Sequence, residues 1–224
     1  QMILALASYK SLIEYDWYDL VVVTDEIREV FSRQVEESNE EEKLKQNLQI
    51  LEEITDGISS EVRMQYEENP YPRWVNTGLS LRPISISNMV DQFRLKLHEN
   101  RINEVEKPEI LIAGCGTGQH SIGAATRFKG SSVLAIDLST SSLAYAQRKT
   151  KELGIGNIKY MQADILDLSQ LGKEFDIIEC VGVLHHMDKP LAGWKALTDC
   201  LKPGGLMKIG LYSELGREHI VKIR

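Results

Sequence analysis

No run of apolar residues in this chain approaches the roughly twenty that a membrane-spanning helix needs; the longest are strand-sized. The apolar start carries no basic leader, so it does not read as a secretory signal. Cysteine is scarce. Cys115, Cys180 and Cys200 are an odd number, far apart, without the spacing of metal ligands. They read as reduced thiols of a cytoplasmic protein, and no metal site is expected. Basic residues are outnumbered, with 26 Lys and Arg against 33 Asp and Glu for a net charge of −7. Phosphate binding needs a positive face, so this balance argues against a nucleic-acid partner. No internal repeat of fixed period is visible. What remains is ordinary for a folded chain of 224 residues: 42% apolar and 26% charged, enough for one mid-sized domain or a domain with an extension.

The most informative segment is Ile110 to Gly123, ILIAGCGTGQHSIG. An apolar run ends in glycines at alternate positions, Gly114, Gly116 and Gly118, and an amphipathic segment follows. This predicts a buried strand turning sharply into a helix, with bare main chain at the turn. Unpaired N–H groups at the helix start favour an anionic group there. About twenty residues later a second apolar strand, Ser132 to Ile136, ends in Asp137, placed to grip the two hydroxyls of a ribose. Together these predict a site for a nucleoside-bearing cofactor.

Residues 1–105 read as a helical extension. Met2 to Leu20 has apolar residues at helical spacing, and Thr24-Asp25-Glu26 is a helix start. Glu36 to Glu42 reads as a solvated acidic face or loop. Lys43 to Ile54 regains an apolar stripe. Ser59-Ser60-Glu61 would cap a helix to Glu68, which Asn69-Pro70-Tyr71-Pro72 must break. Ser87 to Asn100 reads as one more helix. From about residue 106 onward the pattern alternates. Candidate strands are Glu109–Ala113, Val133–Ile136, Ile158–Gln162, Phe175–Val181 and Leu206–Leu211; candidate helices are Gly118–Phe128, Thr140–Leu153 and Pro190–Leu201. That alternation predicts an α/β fold, a doubly wound, Rossmann-like, mostly parallel sheet with ligands at the carboxyl ends of its strands.

Further strand ends fit the same scheme. Asp164 closes Tyr160-Met161-Gln162-Ala163-Asp164, where its carboxylate would accept a hydrogen bond from an adenine amino group. Gly182-Val183-Leu184-His185-His186-Met187 follows the fourth strand, and Leu201-Lys202-Pro203-Gly204-Gly205-Leu206 reads as a tight turn into the fifth. The ordered series resembles the class I S-adenosylmethionine-dependent methyltransferases over about Pro108 to Tyr212. The resemblance implies S-adenosylmethionine or S-adenosylhomocysteine as cofactor. It places Gly114, Cys115, Gly116, Thr117 and Gly118 around the methionine part, with Cys115 filling space in the loop. Asp137 would hold the ribose hydroxyls, Leu138 would flank the adenine, Asp164 and Ile165 would meet its edge and face, and Val181 and Gly182 would lie near the sulfonium.

A second resemblance rests on Ser32-Arg33-Gln34-Val35-Glu36-Glu37 and on Gln65 through Trp74, QYEENPYPRW. These are similar to the region preceding the catalytic domain in bacterial tetratricopeptide-repeat methyltransferases. The carboxyl end departs from the family pattern, which adds two strands after the fifth, whereas only Ser213 to Arg224 remains. With Gln1 rather than Met at the start, both ends read as cuts in a longer polypeptide. A sheet ending on an exposed fifth strand would favour self-association.

Each candidate has a plainer reading beside it. A nicotinamide-binding fingerprint wants a third glycine where this chain has Gln119, and no hydride-transfer site is found. Asp137 also suits a cap for the helix beginning near Ser139, and Asp176 reads as an anchor for its strand. His185 and His186 are proton acceptors by chemistry, or simply shape their loop. Tyr66, Tyr71, Arg73 and Trp74 would contribute rings near a sulfonium and a cation for a carboxylate, or would pack the extension onto the sheet. His185, His186 and Tyr71 are the candidate catalytic residues. The chain lacks a Pro-Cys nucleophile and the Asn/Asp-Pro-Pro-Tyr/Phe pattern of amide and exocyclic-amine methylation. The expected reaction is methyl transfer to O, N or C of a small molecule or protein side chain. The rival readings are a cofactor-binding regulatory module without turnover and an NAD-linked oxidoreductase.

Overall fold

The computed structural model describes residues 1–80, 82–213, 215, 216 and 218. Most of the terminal segment discussed above, 213–224, lies outside the described residues. The chain divides into two compact units, Gln1–Asn47 and Leu48–Arg224. The sequence suggested a division near residue 105; residues 48–105 group instead with the sheet.

The first unit is helical. Helix α1 (Met2–Ala7) is followed by 3-10 turns at Leu12–Glu14 and Tyr18–Leu20, so the expected single helix to Leu20 is interrupted. Helix α2 (Asp25–Phe31) runs through a π-helical segment, Ser32–Glu36, into α3 (Glu37–Lys45). The acidic stretch that read as a face or loop is thus mostly helix. Gln34, in the π segment, accepts a hydrogen bond from Leu12 N at 2.9 Å and donates to Ala7 O at 3.1 Å. Leu12, Ile27, Val35 and Leu44 are the buried apolar residues of this unit.

The second unit opens with β1 (Gln49–Ile50), helix α4 (Gly57–Glu68) and helix α5 (Ile86–Gln92). There follow β2 (Glu109–Ala113), α6 (Gln119–Arg127), β3 (Ser132–Asp137), α7 (Thr140–Glu152), β4 (Ile158–Gln162), β5 (Phe175–Val181), α8 (Pro190–Asp199) and β6 (Leu201–Gly210). The six strands form one sheet in the order β1-β4-β3-β2-β5-β6, every pair parallel. The Rossmann-like expectation holds, with three differences. The extension is not wholly helical, because Gln49 and Ile50 pair with Met161 and Gln162. The expected turn before Leu206 lies within β6, with a register shift opposite Phe175 and Ile177. The helix expected over Ser87–Asn100 ends at Gln92, and Arg94 has φ +51°.

Strand alternation sorts the core into two layers. Ile110 and Ile112 belong to one cluster with Val133, Ala135 and Ile177 and with α5, α6 and α7 residues such as Val90, Ala124 and Leu143. Leu111 and Ala113 belong to the other, with Ile136, Ile178, Leu168 and the α8 residue Leu197. At the amino ends of the strands, Asp176 accepts from Glu109 N at 2.8 Å and from Lys202 Nζ at 3.1 Å, the anchoring role its position suggested. Among the described residues β6 pairs on one side only.

Candidate functional site

A pocket of about 430 Å³ opens where β2, β3 and β5 end, within the range of about 300–1,000 Å³ usual for small-molecule sites. The glycine loop forms one wall. Gly114, Gly116 and Gly118 have φ of +72°, +52° and +88°, the left-handed region that a side chain resists. Their reasons differ. A Cβ on Gly118 would lie 2.5 Å from the Ala146 Cβ of α7, whereas on Gly116 the nearest atom would be Tyr71 O at 3.8 Å. Gly118 therefore permits close packing of α6 and α7, and Gly116 leaves bare main chain beside the pocket.

Asp137 ties this loop to the next strand tip. Its Oδ2 accepts from Gly116 N at 2.7 Å and its Oδ1 from Ser139 N at 3.0 Å. Ser139 caps α7, accepting from Ser142 N, so the Asp137 carboxylate buttresses the cap rather than supplying it. Burial raises the Asp137 carboxyl above its ordinary range, against the pull of the Ser139, Gly116 and Leu138 N–H groups. Asp164 is buried, and its Oδ1 accepts from Leu166 N at 2.9 Å, starting a 3-10 turn over Ile165–Leu171. Gln162 Nε2 donates to Leu138 O at 2.8 Å and fixes the adjoining wall.

The segment after α4 folds over the loop. Thr117 Oγ1 donates to Pro72 O at 2.6 Å, and Trp74 Nε1 donates to Thr117 O at 3.0 Å. Glu67 of α4 accepts from Thr140 Oγ1 at 2.6 Å and from Ser141 N at 3.2 Å, at the start of α7. Burial alone would raise the Glu67 carboxyl, but these bonds, with those from Ser141 Oγ and Ser139, bring it below the usual range. Ile58, Val62 and Tyr66, four positions apart on one face of α4, line the pocket. Burial and the nearby Asp137 raise the Tyr66 phenol.

Of the residues singled out from sequence, Gly114, Cys115, Gly116, Thr117, Asp137, Leu138, Asp164, Ile165, Val181 and Gly182 all line this pocket; Gly118 does not. Tyr71, 74% exposed, and His186 also line it. His185 does not. Its ring packs at a tilt against those of His186 and Tyr212, with centroids at 4.2 and 4.1 Å. Trp74 is buried against Tyr145, and Arg73 lies 4.7 Å above the Tyr145 ring, so both pack structure around the loop.

The sequence reading passed over Glu179 and His120. Glu179 is a buried carboxylate in β5, three residues after Asp176, and His120 Nε2 lies 2.5 Å from its Oε2. Arg127 Nη1 donates to Oε1 at 3.0 Å. Burial would raise this carboxyl, but His120, Arg127 and Lys208 together hold it down at about 2. A second carboxylate inside a mostly apolar strand, with His120 and Arg127 seven positions apart on α6, was the available signal.

The site fits an adenosyl sulfonium. The Asp137 carboxylate retains lone pairs for further donors, Leu138 and Ile165 add apolar surface to the lining, and Gly114 and Gly116 bring no side chain into it. No group of three or more His, Cys, Asp and Glu able to hold a metal occurs among the described residues. No helix among them is long and apolar enough to cross a membrane.

Comparison with known proteins agrees with this geometry. Residues 110–205 match a family model described as a methyltransferase domain. An uncharacterized protein from Synechococcus sp. is 41% identical over 121 residues, 54% of this chain and 29% of that protein. A ubiquinone biosynthesis O-methyltransferase from Pseudomonas fluorescens is 29% identical over 161 residues, 67% of this chain and 66% of that enzyme. The chain thus spans less than two thirds of the length of these curated relatives. The fold is shared with the magnesium protoporphyrin IX methyltransferase from Synechocystis PCC 6803 solved with bound SAH, at TM-score 0.52 and 22% identity, covering 74% of this chain and 78% of that one. It is shared too with a protein solved in work on conversion of a disulfide bond into a thioacetal group during echinomycin biosynthesis, at TM-score 0.51 and 24% identity, covering 73% and 62%. Residues 110–205 thus match a methyltransferase domain over the stretch that carries the parallel sheet and most of the pocket lining.

Proposed function

We propose that this chain transfers a methyl group from S-adenosylmethionine to O, N or C of a small molecule or a protein side chain. The observation that carries the reading is the joint placement of the bare Gly116 main chain and the Asp137 and Asp164 carboxylates around one pocket. On this reading Asp137 accepts hydrogen bonds from the ribose hydroxyls, Asp164 and Ile165 meet the adenine, and Gly114, Cys115, Gly116 and Thr117 border the amino-acid tail. Val181 and Gly182 lie near the sulfonium, while Gly118 acts through helix packing. The cofactor supplies an activated methyl group. The protein's contribution is alignment of donor and acceptor, which alone supplies roughly 7–11 kcal/mol in well-oriented reactions.

Tyr71 and His186 line the pocket and are exposed, which supports an acceptor entering beside them. The resemblance of 32–37 and 65–74 to tetratricopeptide-repeat methyltransferases supports placing helical repeats beside this domain in the whole protein. The low cysteine count and the acidic balance support a cytoplasmic protein without a nucleic-acid partner. The one-sided edge of β6 supports self-association through that strand. The test is calorimetric titration with S-adenosylmethionine, S-adenosylhomocysteine and NAD, followed by product detection across phenolic, amine and protein acceptors. Binding of the first two and not NAD, with methylated product, is expected. Tight NAD binding, or cofactor binding with no turnover on any acceptor, overturns the proposal.

A further inference from the structure

The pocket has a second polar end, away from Asp137 and Asp164. Glu179 lies in register between Ile112 of β2 and Lys208 of β6. Its side chain is only 4% exposed. Oε2 faces His120 Nε2 at 2.5 Å, and Oε1 accepts from Arg127 at 3.0 Å. Lys208 Nζ stands farther off, 3.5 Å from Oε2, on a side chain 58% exposed. One carboxylate therefore meets a guanidinium and an ammonium, which leaves a positive charge in excess before His120 is counted. His120 and Lys208 also line the pocket.

The sheet order makes the pocket electrostatically two-ended. Asp137 and Asp164 stand at the ends of β3 and β4, on one side of β2; Glu179 and Lys208 stand on β5 and β6, on the other. A buried carboxylate already bonded at both oxygens keeps His120 in place and neutralises one of its two cationic neighbours, not both. The loosely held Lys208 ammonium is the charge left for a ligand.

We propose that the His120–Lys208 end of the pocket binds a carboxylate of the ligand. Given the methyl-transfer reading on which this rests, that carboxylate has two sources: the amino-acid tail of the cofactor, or an acidic group on the methyl acceptor. The acidic end then receives the sugar and base, and the basic end receives the anion, so the ligand is oriented along the pocket by charge.

The test compares the full chain with Lys208→Gln and the charge-keeping Lys208→Arg by calorimetry. Two ligand pairs are used: S-adenosylhomocysteine against 5′-methylthioadenosine, which lacks the amino-acid tail, and benzoate against benzamide with S-adenosylhomocysteine present. Lys208→Gln should weaken the carboxylate-bearing member of one pair about tenfold, as loss of a charge-assisted hydrogen bond requires, and leave its neutral partner unchanged; Lys208→Arg should restore it. Loss confined to S-adenosylhomocysteine assigns the cofactor tail, and loss confined to benzoate assigns the acceptor. Equal losses within both pairs, or no loss in either, overturn the proposal. Failure of the parent chain to bind either adenosyl compound overturns the methyl-transfer reading instead, and benzoate against benzamide then tests the basic end alone. Lys208 is exposed, and unchanged thermal melts will show that both variants fold.

Discussion

Replacing Asp137 with alanine separates the fold of the glycine loop from its use. The carboxylate holds Gly116 N–H at 2.7 Å and Ser139 N–H at 3.0 Å. Each bond to a charged acceptor contributes roughly 1.5–3 kcal/mol, but burying the charge opposes them strongly enough that its carboxyl lies above the ordinary range. The loss of stability should therefore be moderate, about 1–2 kcal/mol, dominated by the two N–H groups left without an acceptor. Binding should suffer more. A carboxylate that also accepts from ribose hydroxyls contributes roughly 1.5–3 kcal/mol to the complex, so S-adenosylhomocysteine affinity should fall by about one to two decades. Calorimetric titration at 25 °C, paired with thermal melts, measures both. Asp137→Asn, which keeps one oxygen but turns an N–H toward an N–H, should fall between the parent and Asp137→Ala. If Asp137→Ala binds within twofold of the parent while melting cooperatively, the assignment of this carboxylate to the sugar is wrong.

Two further outcomes follow from the same geometry. Gly118→Ala places a Cβ 2.5 Å from Ala146 Cβ at φ +88°, whereas Gly116→Ala meets nothing nearer than 3.8 Å at φ +52°. Left-handed strain costs about 1–2 kcal/mol in both, and overpacking adds roughly 1–3 kcal/mol at position 118 alone; urea unfolding should show that gap, and equal losses would count against the packing role. Glu179 has a folded carboxyl pKa of about 2, below its reference of 4.5. Its contribution, roughly 3 kcal/mol by linkage, is fully present above pH 4.5 and fades as the pH falls toward 2. Glu179→Gln should flatten that acid limb in denaturant titrations followed from pH 6 to 2, and an unchanged limb would show that the buried cluster is not its source.

Local chemistry made much of the sheet-forming half readable. Strand-helix alternation comes from period-2 and period-3.6 burial, and it marked β2 to β5 within a residue or so. The extension was harder. Gln49 and Ile50 are too few to display a strand period, and become a strand only because β4 offers them an unpaired edge. The break after Gln92 left no periodic mark either, since Phe93 and Leu95 continue the apolar spacing but are exposed. In the pocket, residues borne on the glycine loop and strand tips could be named from their positions. His185 could not be separated from His186, because which of two neighbours in a turn faces the pocket depends on what surrounds each in the folded chain.

The sequence by itself determined the β-to-α turn at Gly114–Gly118, the acidic residue at the next strand tip and the order of the motifs, since each depends on residues adjacent in the chain. Only the tertiary structure decided that Gly118 serves helix packing, that Trp74 and Arg73 brace the loop, and that Glu179 gathers His120, Arg127 and Lys208 at one end of the pocket. Those roles depend on groups brought together by the parallel crossovers, dozens of positions apart in sequence. A buried charge acquires its partners, and its pKa, only when the sheet has closed around it.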